Sequence, residues 1–333
     1  MKIDSQSPEQ ALLGMSNGGR DSRQKFDEIA AVKSNAAAAP QGFTKRTVFF
    51  LGCACTFHDP VCVDLSDLPQ GWETYPLTLS GYRVNLGWWG AFWSIFSANH
   101  NDFFLIWSDV LPLLAYLVVA FVHFGSSKFQ AASSSLKALE LGVFLGCIVC
   151  RSTSSFYHIF NATSLWTSQR LINVDLIGIT FMSCVSPYFY VLGDYTNLAS
   201  ADVDLGASFW VYCSTLFFIQ IVCILVFVCN LTLGESWLAS VSRQPILCLL
   251  SAWGNWAGFR IAINPALSAS LRAHCAISLV CLLFGYVLCF MNQWPERFLR
   301  KGVADGKCWN SHVIWHGLLA VSQVSFIMVP FVY

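Results

Sequence analysis

The chain has 333 residues, of which 55% are hydrophobic and 11% charged, with a mean hydropathy of +0.55 and no formal net charge. That balance describes a protein that crosses a membrane several times and excludes a soluble enzyme with one hydrophobic core. A sequence pI near 7.0 likewise excludes a nucleic-acid partner, which requires a basic face.

Residues 1–45 are rich in charge, Ser, Gly and Ala, lack helical periodicity and begin without a short apolar signal core. They are expected to form a disordered cytosolic tail rather than a cleaved leader, within an N-terminal region taken as 1–80. Cys53, Cys55, His58 and Cys62 follow, either as ligands of a second metal or as parts of an apolar loop; their spacing matches no closed zinc motif. The cysteines further on, such as Cys147, Cys150, Cys223 and Cys289, lie in apolar runs and read as small hydrophobes, not as a disulfide framework. Trp88, Trp89, Phe92, Trp93 and Phe96 recur at helical spacing, as in a helix lying in the headgroup layer before a membrane domain of residues 81–333.

About 20 apolar residues cross a hydrocarbon core of roughly 30 Å. Stretches near 103–124, 139–160, 171–192, 207–230, 246–263, 274–291 and 312–332 meet that requirement, giving an all-α bundle of seven transmembrane helices. Asn255 and Arg260 interrupt the fifth, and Pro112 and Pro187 are expected to kink their helices. Arg297, Arg300, Lys301 and Lys307 between the last two spans, with Arg170 and Arg243, outweigh Lys128, Lys137 and Arg272 on the other side. The N-terminus is therefore expected in the cytosol and the C-terminus outside or in a lumen, whether of the plasma membrane or an endomembrane. The sequons at Asn161 and Asn230 then lie at cytosolic helix ends and stay unglycosylated.

This topology gathers polar residues at one depth. His312 and His316, four apart, share a face at the start of the last span; Ser154 and His158 close the second, and Asp175 opens the third. Ionisable side chains inside a membrane mark function by default. Three neutral imidazoles with one open position form the ligand set of a catalytic Zn2+, which places His158, His312 and His316 as ligands on the cytosolic side. Asp175 is the natural carboxylate or general base beside them, and Ser154 could bond the site or steady the His158 ring.

At these residues the chain resembles the progestin and adiponectin-receptor (PAQR) family and its haemolysin III relatives, over roughly residues 80–333. The resemblance rests on Gly81-Tyr82-Arg83, His100-Asn101-Asp102 with Ile106-Trp107, Ser154 with His158, Asp175 with Gly178-Ile179, Pro295-Glu296-Arg297-Phe298, and Ser311-His312 through His316. It implies zinc on the same three histidines, a water-linked Asp175 and an intracellular N-terminus. The chain departs from the family at Asp102, Phe103, Leu105, Ser108 and Asp109, where a polar pattern near the first span is altered, and after Phe298.

The resemblance implies two functions: a zinc-dependent hydrolase of a ceramide-like lipid amide, releasing a free fatty acid, and a receptor in which zinc clips the bundle while an extracellular ligand shifts it. A zinc or lipid-homeostasis sensor without catalysis, and an enzyme like the alkaline ceramidases with no receptor role, are the alternatives. Arg151, seven residues before His158 and about 10 Å deeper, is expected either to contact a lipid headgroup or product carboxylate in a lipid cavity or to form a structural pair. His123 and His274 are expected to be solvated rings at outer helix ends.

Overall fold

The computed structural model describes residues 43–50, 53–69, 72, 77–194, 206–233, 237–299, 302–303 and 305–332; of the tail expected over 1–45, residues 1–42 lie outside them and 43–45 open a strand. The described chain starts with an antiparallel hairpin, β1 (Phe43–Phe50) and β2 (Cys53–Pro60), in the register Phe43↔Pro60 to Phe50↔Cys53. Among the described residues the regular elements after it are helices, apart from an isolated antiparallel bridge between Val63 and Tyr82. The elements are α1 (Gly87–Trp93), α2 (Phe103–Phe124), α3 (Ser127–Ala131), α4 (Ser134–Phe160), α5 (Leu165–Phe181), α6 (Ser186–Asp194), α7 (Ala207–Leu233), α8 (Trp237–Ile263), α9 (Ala269–Phe284) and α10 (Ser311–Val332).

Among the described residues, six helices are long and apolar enough to cross a membrane: Phe103–Phe124, Leu165–Gly193, Ala207–Thr232, Pro245–Ile263, Ala269–Cys289 and Ser311–Phe331. They coincide with six of the seven expected stretches. The remaining one falls on α4, a 27-residue helix that buries Glu140, Arg151 and His158 among apolar residues.

Local sequence sets the helix boundaries. Ser126, Ser133, Ser164 and Ser268 each accept a backbone N–H from three residues ahead, satisfying a donor that a helix start leaves without a partner. A 3-10 turn at Met182–Val185 separates α5 from α6, and Pro187 occupies the first turn of α6, where no intrahelical N–H is needed. The Glu296 carboxylate accepts the Ser311 N–H at 2.5 Å, tying the segment after α9 to the first residue of α10.

Helices α4 and α5 pack along their length, α4 also meets α2, and α10 lies against α9 and α2. Glycine permits the α4–α5 approach. A Cβ at Gly178 would stand 1.7 Å from Thr153 Oγ1, and one at Gly146 would stand 2.5 Å from the Phe181 carbonyl. The core runs through Tyr116, Phe144, Phe189, Phe227, Ile261 and Ile327. Outside it, Phe121, Val118, Phe218 and Leu283 are 83%, 64%, 67% and 67% exposed, an apolar surface suited to lipid and costly in water.

The two ends of the bundle differ in their polar contents. At the end holding α2's C-terminus, His123 is buried and its Nε2 lies 2.9 Å from Glu140 Oε2, with Phe144 stacked on the ring and Phe331 packed beside it. This corrects the solvated ring expected for His123. α3 and the C-terminal end of α10 close over that helix end, and Glu140 supplies the partner that water was expected to provide. The opposite end carries the hairpin, the aromatic helix α1 and the three histidines.

Candidate metal centre

The last turn of α4 delivers His158 and the first two turns of α10 deliver His312 and His316, spaced so that both project from one face. Their ring centroids are 5.4 Å (His158–His312), 5.1 Å (His158–His316) and 4.9 Å (His312–His316) apart. One ring nitrogen from each lies within 4.8 Å of the other two, so the trio could hold a metal ion. His158 is 1% and His316 5% exposed. Both His158 nitrogens and Nδ1 of His316 are buried without a hydrogen-bond partner among the described residues. Buried imidazole nitrogens are costly in that state; an ion shared by the trio would take one nitrogen of each ring, leaving the Nδ1 atoms of His158 and His316 to the carboxylates behind them, and the donor set of neutral nitrogens suits zinc.

Two carboxylates stand behind these rings, both from the beginning of α2. Asp102 Oδ1 lies 3.7 Å from His158 Nδ1, and Asp109 Oδ1 lies 3.1 Å from His316 Nδ1. Each acid also holds an arginine. Arg83 NH2 donates to Asp102 Oδ2 at 3.0 Å and to the His158 carbonyl at 2.6 Å, while Arg151 NH1 donates to Asp109 Oδ1 at 2.5 Å. Burial works against a charge on Asp102, but the neighbouring His158 ring and the Arg83 guanidinium outweigh it and hold the carboxyl well below the usual carboxylate range. A cleft beside Asp102, lined also by Arg83, Asn101, Tyr157, Asn161 and Ser168, opens at this end of the bundle.

The expected site residues fall into three groups. His158, His312 and His316 converge. Asp175 is half-buried on α5 and stands within electrostatic reach of the His158 ring, together with Asp102 and Asp109. Ser154 meets no ring: its hydroxyl donates to Asp109 Oδ2 at 2.7 Å and so reaches the trio through that acid.

Arg151 requires a correction. It is fully buried, donating also from Nε to Gln323 Oε1 at 2.6 Å and from NH2 to the His316 carbonyl at 3.1 Å, so it faces the bundle interior and no lipid cavity. A guanidinium at that depth is tolerable only with partners, and Asp109 and Gln323 provide them. Of the second metal set, the side chains of Cys53, Cys55 and His58 lie outside the described residues. Cys62 is described, and burial pushes its thiol up to about 11, which favours an inert thiol.

Asp102, Asp109 and Arg83 are the site residues that reading the sequence did not assign. A signal existed for Asp109, an acid inside the apolar run from Phe103 to Phe124. No curated protein matches the chain. A family model described as haemolysin-III related matches residues 97–327, which include the three histidines, Asp102, Asp109 and Asp175. With more than half of its length matched, the chain belongs to the haemolysin-III-related family, the group that also contains the PAQR proteins.

Proposed function

We propose that the chain is a receptor-like member of this family whose His158–His312–His316 site holds zinc and hydrolyses a ceramide-like lipid amide. The observation that carries the reading is the convergence of three imidazoles from α4 and α10, two buried and one half-buried, with their ligand atoms within 4.8 Å of one another and Nε2 of His158 buried without a hydrogen-bond partner. Zinc, when bound there, supplies Lewis acidity that polarises a carbonyl and acidifies water.

The chain's own residues do the rest. Asp175, on the helix packed against α4, accepts the proton of the attacking water; the water's hydroxyl goes to the acyl carbon, the C–N bond breaks, and the proton passes to the departing sphingoid amine. The products are a free fatty acid and a sphingoid base. The exposed apolar flanks of the spans leave the bilayer as the route for such a substrate.

The reading includes a seventh span, α4, since 27 residues reach about 40 Å and its His158 end meets the N-terminal end of α10. Arg297 and Lys307 flank the same end of the bundle, which supports a cytosolic zinc site and N-terminus, with the C-terminus outside or in a lumen. A second reading, a non-catalytic receptor or zinc sensor, draws support from the tight burial of His158 and His316 and from arginines that occupy both acids behind the rings.

The deciding experiment measures zinc content and fatty-acid release from ceramide for the purified protein and for Asp175→Ala. Zinc in both, with hydrolysis lost only in the variant, is the expected result. Zinc without hydrolysis in either gives the second reading, and wild-type protein without zinc removes both.

A further inference from the structure

Helix α2 contributes no histidine to the trio, yet Asp102 just before it and Asp109 within it stand behind two different rings. We infer that Asp109 is a positioning residue: it fixes the His316 imidazole in the one tautomer that offers Nε2 to the metal. The inference rests on the zinc reading given above.

The geometry is directional. The Asp109 carboxylate, 3.1 Å away though not aligned for a hydrogen bond, repels a ring lone pair and favours an N–H, so Nδ1 of His316 is the nitrogen that carries hydrogen. With Nδ1 protonated, the lone pair sits on Nε2, on the far side of the ring from α2. Carboxylates or carbonyls behind metal-bound histidines act in this way, and losing one typically costs 10- to 100-fold in metal affinity.

Asp109 is itself held from two sides. Arg151 NH1 donates to Oδ1 and the Ser154 hydroxyl donates to Oδ2, so the carboxylate has little freedom to rotate. Arg151 also donates to the backbone carbonyl of His316 at 3.1 Å, which ties the acid and its histidine into one rigid unit. The same design recurs at the second ring: Arg83 binds Asp102 and the backbone carbonyl of His158. In both cases one arginine grips the acid and the main chain of the residue whose side chain that acid faces. A pair serving only to clip α2 to α4 would need neither the contact with His316 Nδ1 nor the repetition at Asp102.

The test compares zinc affinity, by competition with a fluorescent chelator, for wild type and for Asp109→Asn combined with Arg151→Gln. The double change removes both charges together, so that neither is left buried alone, and an Asn amide, which can turn its oxygen or its NH2 to Nδ1, no longer enforces one tautomer. The expected result is a 10- to 100-fold loss of zinc affinity and an altered Co2+ absorption spectrum, in a protein whose melting temperature with metal removed stays close to wild type. A folded double variant with wild-type zinc affinity overturns the inference. Should the double variant not fold, Ser154→Ala decides: it frees one carboxylate oxygen, and a several-fold weaker zinc site supports the inference while an unchanged one overturns it. Wild-type protein that binds no zinc removes the metal reading itself and is distinguished from both by the first measurement.

Discussion

His158 bears the greatest weight of any single side chain, because it is the ring that α4 adds to the pair on α10. Replacing it with Ala is expected to abolish stoichiometric zinc in metal analysis, whereas Asp175→Ala leaves zinc bound. His100 gives a prediction of a different kind. Its Nε2 donates to the Ser94 carbonyl, and burial, then the nearby Arg83, push its folded pKa down from 6.5 to about 3. An unfolded chain therefore binds a proton between these values that the folded chain refuses. The stability this residue contributes is complete above pH 6.5 and is lost as pH falls toward 3, amounting to about 2 kcal/mol at pH 5. Thermal melts at pH 7.5 and pH 5 are expected to show that loss in wild type and a smaller one in His100→Gln. The histidine trio was legible in the sequence because His312 and His316 share a helical face and His158 lies at the matching depth. The acids behind the rings were not, because Asp109 and His316 belong to helices at opposite ends of the chain and only packing brings them together. For Arg151 the structural pair, one of the two expectations, is what the packing shows, and its partners Asp109 and Gln323 were not nameable for the same reason.

At the scale of elements, the α4–α5 contact relates the metal site to Asp175, and it depends on Gly178 having no side chain. Adding one methyl there drives it into Thr153, whose hydroxyl also bonds the Val149 and Cys150 carbonyls and so cannot move freely. Gly178→Ala is expected to cost about 1–3 kcal/mol, read as a lower melting temperature, and to reduce hydrolysis more than zinc content, because it shifts α5 against α4 and spares α10. The helix α1 exposes Trp88, Trp89 and Trp93 by 52%, 75% and 55%. Their fluorescence is expected to be quenched by lipids brominated near the headgroup and not by lipids brominated at the chain end; the reverse would place α1 elsewhere. Six helices were legible as spans from hydropathy alone, and the aromatic helix from its spacing. The hairpin Phe43–Pro60 was not, since it falls partly in a stretch read as tail and partly in one read as a loop or metal site, and its strand pairing leaves no apolar alternation long enough to detect.

For the whole molecule, the proposed orientation rests on the charges near the histidine end, and the sequons test it. Asn161 accepts from Arg83 at 3.1 Å and donates to Asp102 at 3.4 Å, while Asn230 is buried. Neither is expected to carry glycan, so endoglycosidase treatment should leave the mobility of the expressed protein unchanged, and a tag before residue 43 should be reached by antibody only after the plasma membrane is opened. A glycan at either position would reverse the assignment.

The aromatic collar of α1 also works as a ruler. It is followed within ten residues by the start of α2, and Asp109 lies six residues into that helix, about 10 Å farther along its axis. With α1 in the headgroup layer, as proposed, the histidines are expected near the level where a lipid's polar part joins its tails. A hydrolase so placed cuts at that junction and is indifferent to how far the tails continue: turnover of amides differing only in acyl length, from twelve to twenty carbons, should be nearly flat, while moving the amide a few carbons down the tail should end it.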